Sequence, residues 1–394
     1  MKLKVKTSLL EFSKFNIVTI LSKLVAVFFL PFLTTLLPKE EIGIISIYTR
    51  LIGLLSILFG LGYFSQIIKI KSILVSKKLI TEFSIILLIG FLLSFFFFLV
   101  PSYGSYNIGL IALPAVSLAG LTFFRNYYRL NLLTNKYIFN ELIFIFTSVG
   151  FSLLLLYFFT SYLSRIWGLC LSYLLTFIFY FSRFKSINIK LFKSFSFLKN
   201  SVALLPHMIL KWIRSRSDII LIAMFFSKSD VGDYAIALSV SSLVLVFYDA
   251  HNQYFLSISK KYFQSNNIKI WFKEILKSLI FYVVILIGLQ LFIDLIYSVF
   301  DWGDYEDGKI YARLLSVVFF LRSIPNLLTT YFNFHNLNIL LSKITFITSL
   351  FYIIFGIICL KYFFVEYFIF MLIFSELFLS SIFIYFIRHE KKSN

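Results

Sequence analysis

The chain is short of charge. Only 14% of its 394 residues are charged, against about 25% in a soluble domain. Acids are scarcest, 18 against 37 Lys and Arg. With 60% hydrophobic residues this excludes an ordinary water-soluble globular protein. Only two cysteines are present, Cys170 and Cys359, each inside an apolar run and far from the other. A disulfide framework and a thiolate metal site are thereby excluded. The four histidines (His207, His251, His335 and His389) have no partner at metal-ligand spacing, so no metal site is expected. The segments between apolar runs are all short, so there is no soluble domain in which separate chemistry could sit. No cleavable signal peptide is expected either. The first apolar run follows MKLKVKTSLLEFSK, is too long for a signal h-region and leads directly into a second run.

What the chain has is long, continuous apolar stretches. Backbone groups in lipid must be satisfied within the span, so the choice lies between helices and a closed barrel. Continuous rather than alternating apolar runs select helices. The expected fold is therefore an all-α integral membrane protein. Each span needs about 20 residues, and twelve are read at 15–37, 42–65, 79–100, 107–128, 137–159, 162–183, 200–226, 232–256, 275–300, 310–332, 343–362 and 364–387. The 52 Phe and 24 Tyr are expected to fill lipid-facing surface and interfacial belts.

Lys and Arg set the orientation. If the N-terminus is cytoplasmic, the inside segments carry 24 of them and the outside segments five, with eight left inside spans. By the positive-inside rule both termini are cytoplasmic. The net charge of +19 then reflects cytoplasmic loops, and no nucleic-acid partner is expected. The acidic loop DWGDYEDG at 301–308 falls outside.

The chain also repeats. Pro38-Lys39-Glu40-Glu41-Ile42-Gly43, shifted by 189 residues, falls on Ser227-Lys228-Ser229-Asp230-Val231-Gly232. Both stretches sit between the first and second spans of a half, where Gly suits a tight turn and acids suit a helix N-terminus. Six spans per half keep the two halves in one orientation, the parallel repeat of many transporters. The expected organisation is a six-helix bundle over 1–181, a basic cytoplasmic linker over 182–199 and a second six-helix bundle over 200–394.

The most unusual stretch is LLPHMILKWIRSRSD at 204–218, which places Lys211, Arg214, Arg216 and Asp218 inside one span. Insertion scales charge about 2.5–3.5 kcal/mol for each Arg or Lys at the bilayer centre. These groups need water, an anion or other helices. Lys211, Arg214 and Asp218 share a helix face at i, i+3, i+7, and Arg214 and Asp218 can pair at i, i+4. Arg216 points about 200° away from Arg214, and Pro206 permits a kink. Lys23, Arg50 and Arg322 join Lys211 at depths of roughly 12–18 Å, near the middle of a ~30 Å core. Two readings stand for this set: the wall of an aqueous cavity for an anionic substrate, or structural ion pairs. Arg313 is expected to snorkel, and Arg125 and Arg129 to anchor a helix end or meet lipid headgroups. Among the acids, Asp218 and Glu376 are deep enough to bind a coupling proton or sodium ion, or to neutralise a nearby Arg. Asp294 is expected to be structural.

Three places carry a resemblance to a known family. They are Leu37-Pro38, Glu40 and Gly43 after the first span; Ser217-Asp218-Ile219-Ile220-Leu221-Ile222 followed by Val231-Gly232-Asp233-Tyr234; and Tyr127-Tyr128-Arg129-Leu130-Asn131 at the end of the fourth. In these, and in its whole plan, the chain resembles the bacterial polysaccharide flippases. These are the O-antigen (Wzx-type) transporters of the multidrug/oligosaccharidyl-lipid/polysaccharide (MOP) exporter superfamily. The resemblance implies a MATE-like pair of bundles around a central cationic cavity. It implies a transporter, not an enzyme, in the bacterial cytoplasmic (inner) membrane, moving polyprenyl-pyrophosphate-linked oligosaccharide units for O-antigen or capsule. Lys23, Arg50, Lys211, Arg214, Arg216 and Arg322 would then bind the headgroup, since Arg forks match phosphate oxygens. The expected partners are membrane lipids, the lipid-linked oligosaccharide, a polysaccharide polymerase and a chain-length regulator. No cofactor is expected beyond coupling to H+ or Na+. Two rivals are a drug antiporter on the same fold, which would favour buried acids over cations, and a membrane enzyme of polysaccharide assembly.

Overall fold

The computed structural model describes residues 2–63, 67, 73–99, 108–130, 133–182, 195–202, 205–264, 268–335 and 337–393. Asn131 and the basic stretch 183–194 lie outside these residues, as do the side chains of Lys23 and Arg129. Every regular element within them is helical.

The chain forms two compact units, Met1–Trp212 and Ile213–Asn394. The first holds α1 (Lys2–Leu36), α2 (Lys39–Gly60), α3 (Ile73–Leu99), α4 (Ile108–Leu130), α5 (Thr134–Phe158), α6 (Tyr162–Ser182), the short α7 (Leu198–Val202) and most of α8 (Leu205–Arg216). The second holds α9 (Asp218–Phe225), α10 (Lys228–Ser241), α11 (Leu243–Gln264), α12 (Ile268–Val299), α13 (Glu306–Phe334), α14 (Asn338–Tyr362) and α15 (Val365–Ser393). Ten helical stretches among the described residues are long and apolar enough to cross a membrane, so this is a multi-pass membrane protein. Two of the twelve expected spans look different. In α1 the apolar stretch is Ile20–Leu36. The seventh span is split into α8 and α9 and carries the charges that lower its hydropathy.

Each unit is built on the same packing scheme. In the first, α4 packs against α2, α3 and α6, α6 against α5, and α5 against α1. In the second, α13 packs against α10, α12 and α15, α15 against α14, and α14 against α9. α2 begins at Lys39 and α10 at Lys228, the 189-residue offset expected from the sequence (228 − 39). The two starts are capped differently. Ser227 and Asp230 form a reciprocal capping box, with Asp230 N–H donating to Ser227 Oγ at 3.2 Å and Ser227 N–H to Asp230 Oδ2 at 3.0 Å. In the first unit Pro38 replaces the serine, and Glu41 instead accepts from Tyr162 N at 2.6 Å, the first residue of α6.

Small residues let the central helix be approached closely, as in other membrane bundles. Ala112, Ala115 and Ala119 of α4 are buried. A Cβ on Gly120 would lie 2.5 Å from the Phe177 ring, and one on Gly168 2.6 Å from Ser152 Oγ. Phe83 and Phe123 stack at 4.0 Å in the first core.

Residues 195–212 belong to the first unit for identifiable reasons. The carboxylate of Glu82, fully buried on α3, accepts from Ser196 N and Oγ at 3.0 and 2.8 Å, Phe197 N at 3.0 Å and Tyr63 Oη at 3.3 Å. It caps the entry to α7. Gly62, at φ +73°, would place a Cβ 2.6 Å from Ser201 O; only glycine fits there without strain.

Three charged side chains tie neighbouring helices together. Arg125 forms an ion pair with the buried Glu141 and stacks over Phe144 at 4.7 Å, so it ties α4 to α5 rather than reaching lipid headgroups. Arg165 sits in the first turn of α6. It donates to Ser148 O at 3.0 Å and Ser152 Oγ at 2.6 Å and covers the Phe29 ring. Arg313 pairs with Asp294 at 2.6 Å, and Lys309 joins it at 3.0 Å. Asp294, expected to be structural, thus links α12 to α13 at an exposed end.

Candidate functional site

The charged stretch of the seventh span is organised by its break. α8 ends at Arg216, Ser217 lies between, and α9 starts at Asp218. In a continuous helix Ile219 N–H would donate to Ser215 O. Here it donates to its neighbour's Asp218 Oδ1 at 3.0 Å. Asp side chains compete with the helix ladder in this way. Arg322 on α13 donates from Nη1 to Ser215 O at 3.3 Å. Ser217 Oγ bonds back to Ile213 O at 2.6 Å and lies 3.3 Å from Tyr352 Oη on α14. Pro206 is the second residue of α8, so it starts this helix and does not kink it. Its missing N–H is one that the first turn leaves unsatisfied in any case.

Around the break, six elements of the second unit bring polar groups together. Glu376 of α15 is buried, with 3% of its side chain exposed, and meets two arginines. Its Oε2 pairs with Arg214 Nη2, and its Oε1 accepts from Arg322 Nε at 2.9 Å. The Arg322 guanidinium also covers the Phe319 ring at 5.5 Å. Asp218, buried, accepts from Tyr234 Oη of α10 at 3.0 Å. The i, i+4 pair expected between Arg214 and Asp218 is therefore not the one formed. Breaking the helix at Ser217 gives Asp218 a backbone donor and Tyr234, and leaves Arg214 for Glu376. Glu376 lies 11 residues into α15, about 16 Å along it, so the cluster is at mid-span. Its formal charges, two Arg against two acids, cancel.

The remaining predicted cations fall differently. Arg50 of α2 is half-buried. Among the described residues no hydrogen bond, ion pair or ring contact engages it. It stands about 16 Å along α2. Lys211 and Arg216 are exposed. They stand five residues apart in α8, about 140° around the helix. Lys23 lies in α1, its side chain outside the described residues. The cluster thus takes in Arg214, Arg322, Asp218 and Glu376 from the predicted set. Sequence reading missed Ser217, Tyr234 and Tyr352. Tyr234 had a signal, its place in the Val231-Gly232-Asp233-Tyr234 motif. Tyr352 had none, one tyrosine among 24.

This all-helical fold is similar to that of solved membrane transporters. An outward-facing multidrug resistance MATE family transporter of the MOP superfamily matches at a TM-score of 0.67 with 11% identity, over 97% of this chain and 96% of that one. An inward-facing MATE structure matches at 0.63 with 14% identity, over 95% and 99%. A MOP superfamily transporter from Pyrococcus furiosus matches at 0.64 with 12% identity, over 96% and 95%. No curated protein sequence matches. The family described as polysaccharide biosynthesis protein matches residues 15–256, and the chain belongs to that family.

Proposed function

We propose that this protein is a flippase that moves polyprenyl-pyrophosphate-linked oligosaccharide units across the bacterial cytoplasmic membrane by alternating access. The observation that carries the reading is Arg50: a half-buried cation at mid-span with no counter-ion among the described residues. An uncompensated Arg at that depth is costly in lipid and calls for water or an anion beside it. A pyrophosphate headgroup supplies several negative charges, and it cannot cross hydrocarbon without such compensation. Membership of a polysaccharide biosynthesis family supports a sugar-bearing cargo. Lys23, Lys211 and Arg216 are the further cations proposed to meet the headgroup. The bias of Lys and Arg between segments supports cytoplasmic termini. A polymerase and a chain-length regulator would receive the unit on the far side, for O-antigen or capsule. Asp218, held by Tyr234 rather than by a cation, is the better placed of the two deep acids to take a coupling proton.

A drug antiporter would need deep acids free for a cationic substrate. Here Glu376 is shared by two arginines and Asp218 is held by Tyr234, which disfavours that reading. The test is polymer export in cells carrying Arg50→Ala, with membrane abundance of the variant measured alongside. Export should be lost at normal abundance and partly kept by Arg50→Lys. Normal export by Arg50→Ala overturns the proposal.

A further inference from the structure

We propose that Glu376 is an internal stand-in for the substrate's anion, which holds Arg214 and Arg322 in the empty carrier and sets how much negative charge a ligand needs to replace it. The inference rests on the reading of an anionic cargo and concerns the second unit alone.

The geometry is that of a bound ligand. Glu376 gives one oxygen to each of two guanidiniums that reach it from α8 and α13, as an anionic headgroup would. The carboxylate is covered, at 3% exposed, while the arginines keep an accessible edge, at 12% and 17%. The arginines also have donors to spare. A guanidinium carries five N–H donors. Arg214 meets Glu376 through Nη2 while its Nε is buried with no hydrogen-bond partner. Arg322 uses Nε and Nη1.

The other groups around Glu376 do not change the balance. Asp218 on α9 acts on Arg322, and Tyr352 on α14 acts on both arginines. Tyr234 on α10 is bound to Asp218. An anion arriving at this cluster therefore meets no net charge. A ligand with a single charge, such as chloride or a carboxylate, offers the arginines no more than Glu376 does. Glu376 is tethered, so its effective concentration is also far higher. A diphosphate brings several charges and enough oxygens to use the spare donors, and it can win. Glu376 would thus exclude the abundant small monoanions of the cell while admitting a pyrophosphate headgroup.

The test uses the full-length protein in lipid nanodiscs, with inorganic pyrophosphate and acetate as probes, and isothermal calorimetry as the readout. The parent should bind pyrophosphate and not acetate. Glu376→Gln should tighten pyrophosphate binding about tenfold or more, the scale of close charge pairs, and should admit acetate. Loss of a buried counter-ion can prevent folding, so a second pair is measured. Arg214→Gln with Glu376→Gln leaves Arg322 without its competitor and should bind pyrophosphate more tightly than Arg214→Gln alone. Unchanged or weaker binding when Glu376 is neutralised, in whichever pair folds, overturns the inference. So does the absence of pyrophosphate binding in the parent and every variant. Neither outcome bears on Arg50→Ala export, which decides the proposed function separately.

Discussion

Glu82 should be one of the most sensitive positions in the first unit. Its carboxylate is fully buried and accepts four hydrogen bonds, from Tyr63, from Ser196 twice and from Phe197. Consider Glu82→Ala. Ser196 is exposed, so its two donors can return to water at small cost. Tyr63 is fully buried and cannot, and the Phe197 N–H loses its cap. Hydrogen bonds to a charged acceptor contribute about 1.5–3 kcal/mol each, so the two that cannot be replaced give a loss of roughly 3–6 kcal/mol. At ~2–4 °C per kcal/mol for a unit of this size, the melting temperature should fall on the order of 10 °C. Glu82→Gln keeps one acceptor oxygen but points an NH2 at a backbone or hydroxyl donor, so its loss should be intermediate. The hydrogen-bond partners are all neutral groups, so the loss should be the same at low and high salt. The assay is intrinsic-fluorescence melting of the purified protein in detergent. An Ala variant that melts within about 2 °C of the parent, less than 1 kcal/mol on that scale, would refute the claim that Glu82 fixes the start of α7.

Two further outcomes follow from packing and exposure. Gly168→Ala puts a methyl group 2.6 Å from Ser152 Oγ and 2.8 Å from Ser152 backbone, so α5 and α6 must separate. The cost should be about 1–3 kcal/mol, read by the same melting assay, and Gly150→Ala is the control because its added Cβ would meet nothing within 4 Å. Asp294→Asn should leave the melting temperature essentially unchanged despite its two ion pairs, because the carboxylate side chain is 53% exposed; a clear fall would show the surface cluster to be cooperative.

The fold was legible because hydrophobicity is a local property of the chain. Long apolar runs mark helices wherever they occur, and the Gly and acidic residues at 38–43 and 227–232 mark equivalent starts. Cross-chain pairing is not local. Arg214 and Glu376 are 162 residues apart in sequence, and no pattern in either neighbourhood announces their meeting. The nearer acid, Asp218, looked like the partner because it lies one helical turn away. The rule that suggests such pairs holds for intact helices, and Asp218 itself breaks this one. The partner of Arg125, expected either to anchor a helix end or to meet lipid headgroups, was hidden for the same reason. Arg125 lies near a span end in sequence, but its neighbour in space is Glu141 of the next helix. The place of Arg50 along its span is different in kind, since it can be counted along one helix.

The two units share packing but not chemistry, and the difference bears on how the cations act. The residue 189 positions after Arg50 is Ser239. α15 starts 203 residues after α6 (365 − 162), which sets Glu376 against Tyr173. Neither of these charges is a feature that the shared packing scheme requires, since each falls on a neutral residue in the other unit. Charges that a fold does not need, placed where lipid penalises them, have to be maintained by what they do. In the second unit the penalty is offset internally, because Glu376 neutralises its arginines and holds them in position. No group among the described residues of the first unit does this for Arg50. A neutralised pair can be rigid and selective, and an unneutralised cation can attract from a distance, since its field is not cancelled. Arg50 keeps such an uncancelled field in the first unit, and Arg214 and Arg322 have theirs cancelled by Glu376 in the second.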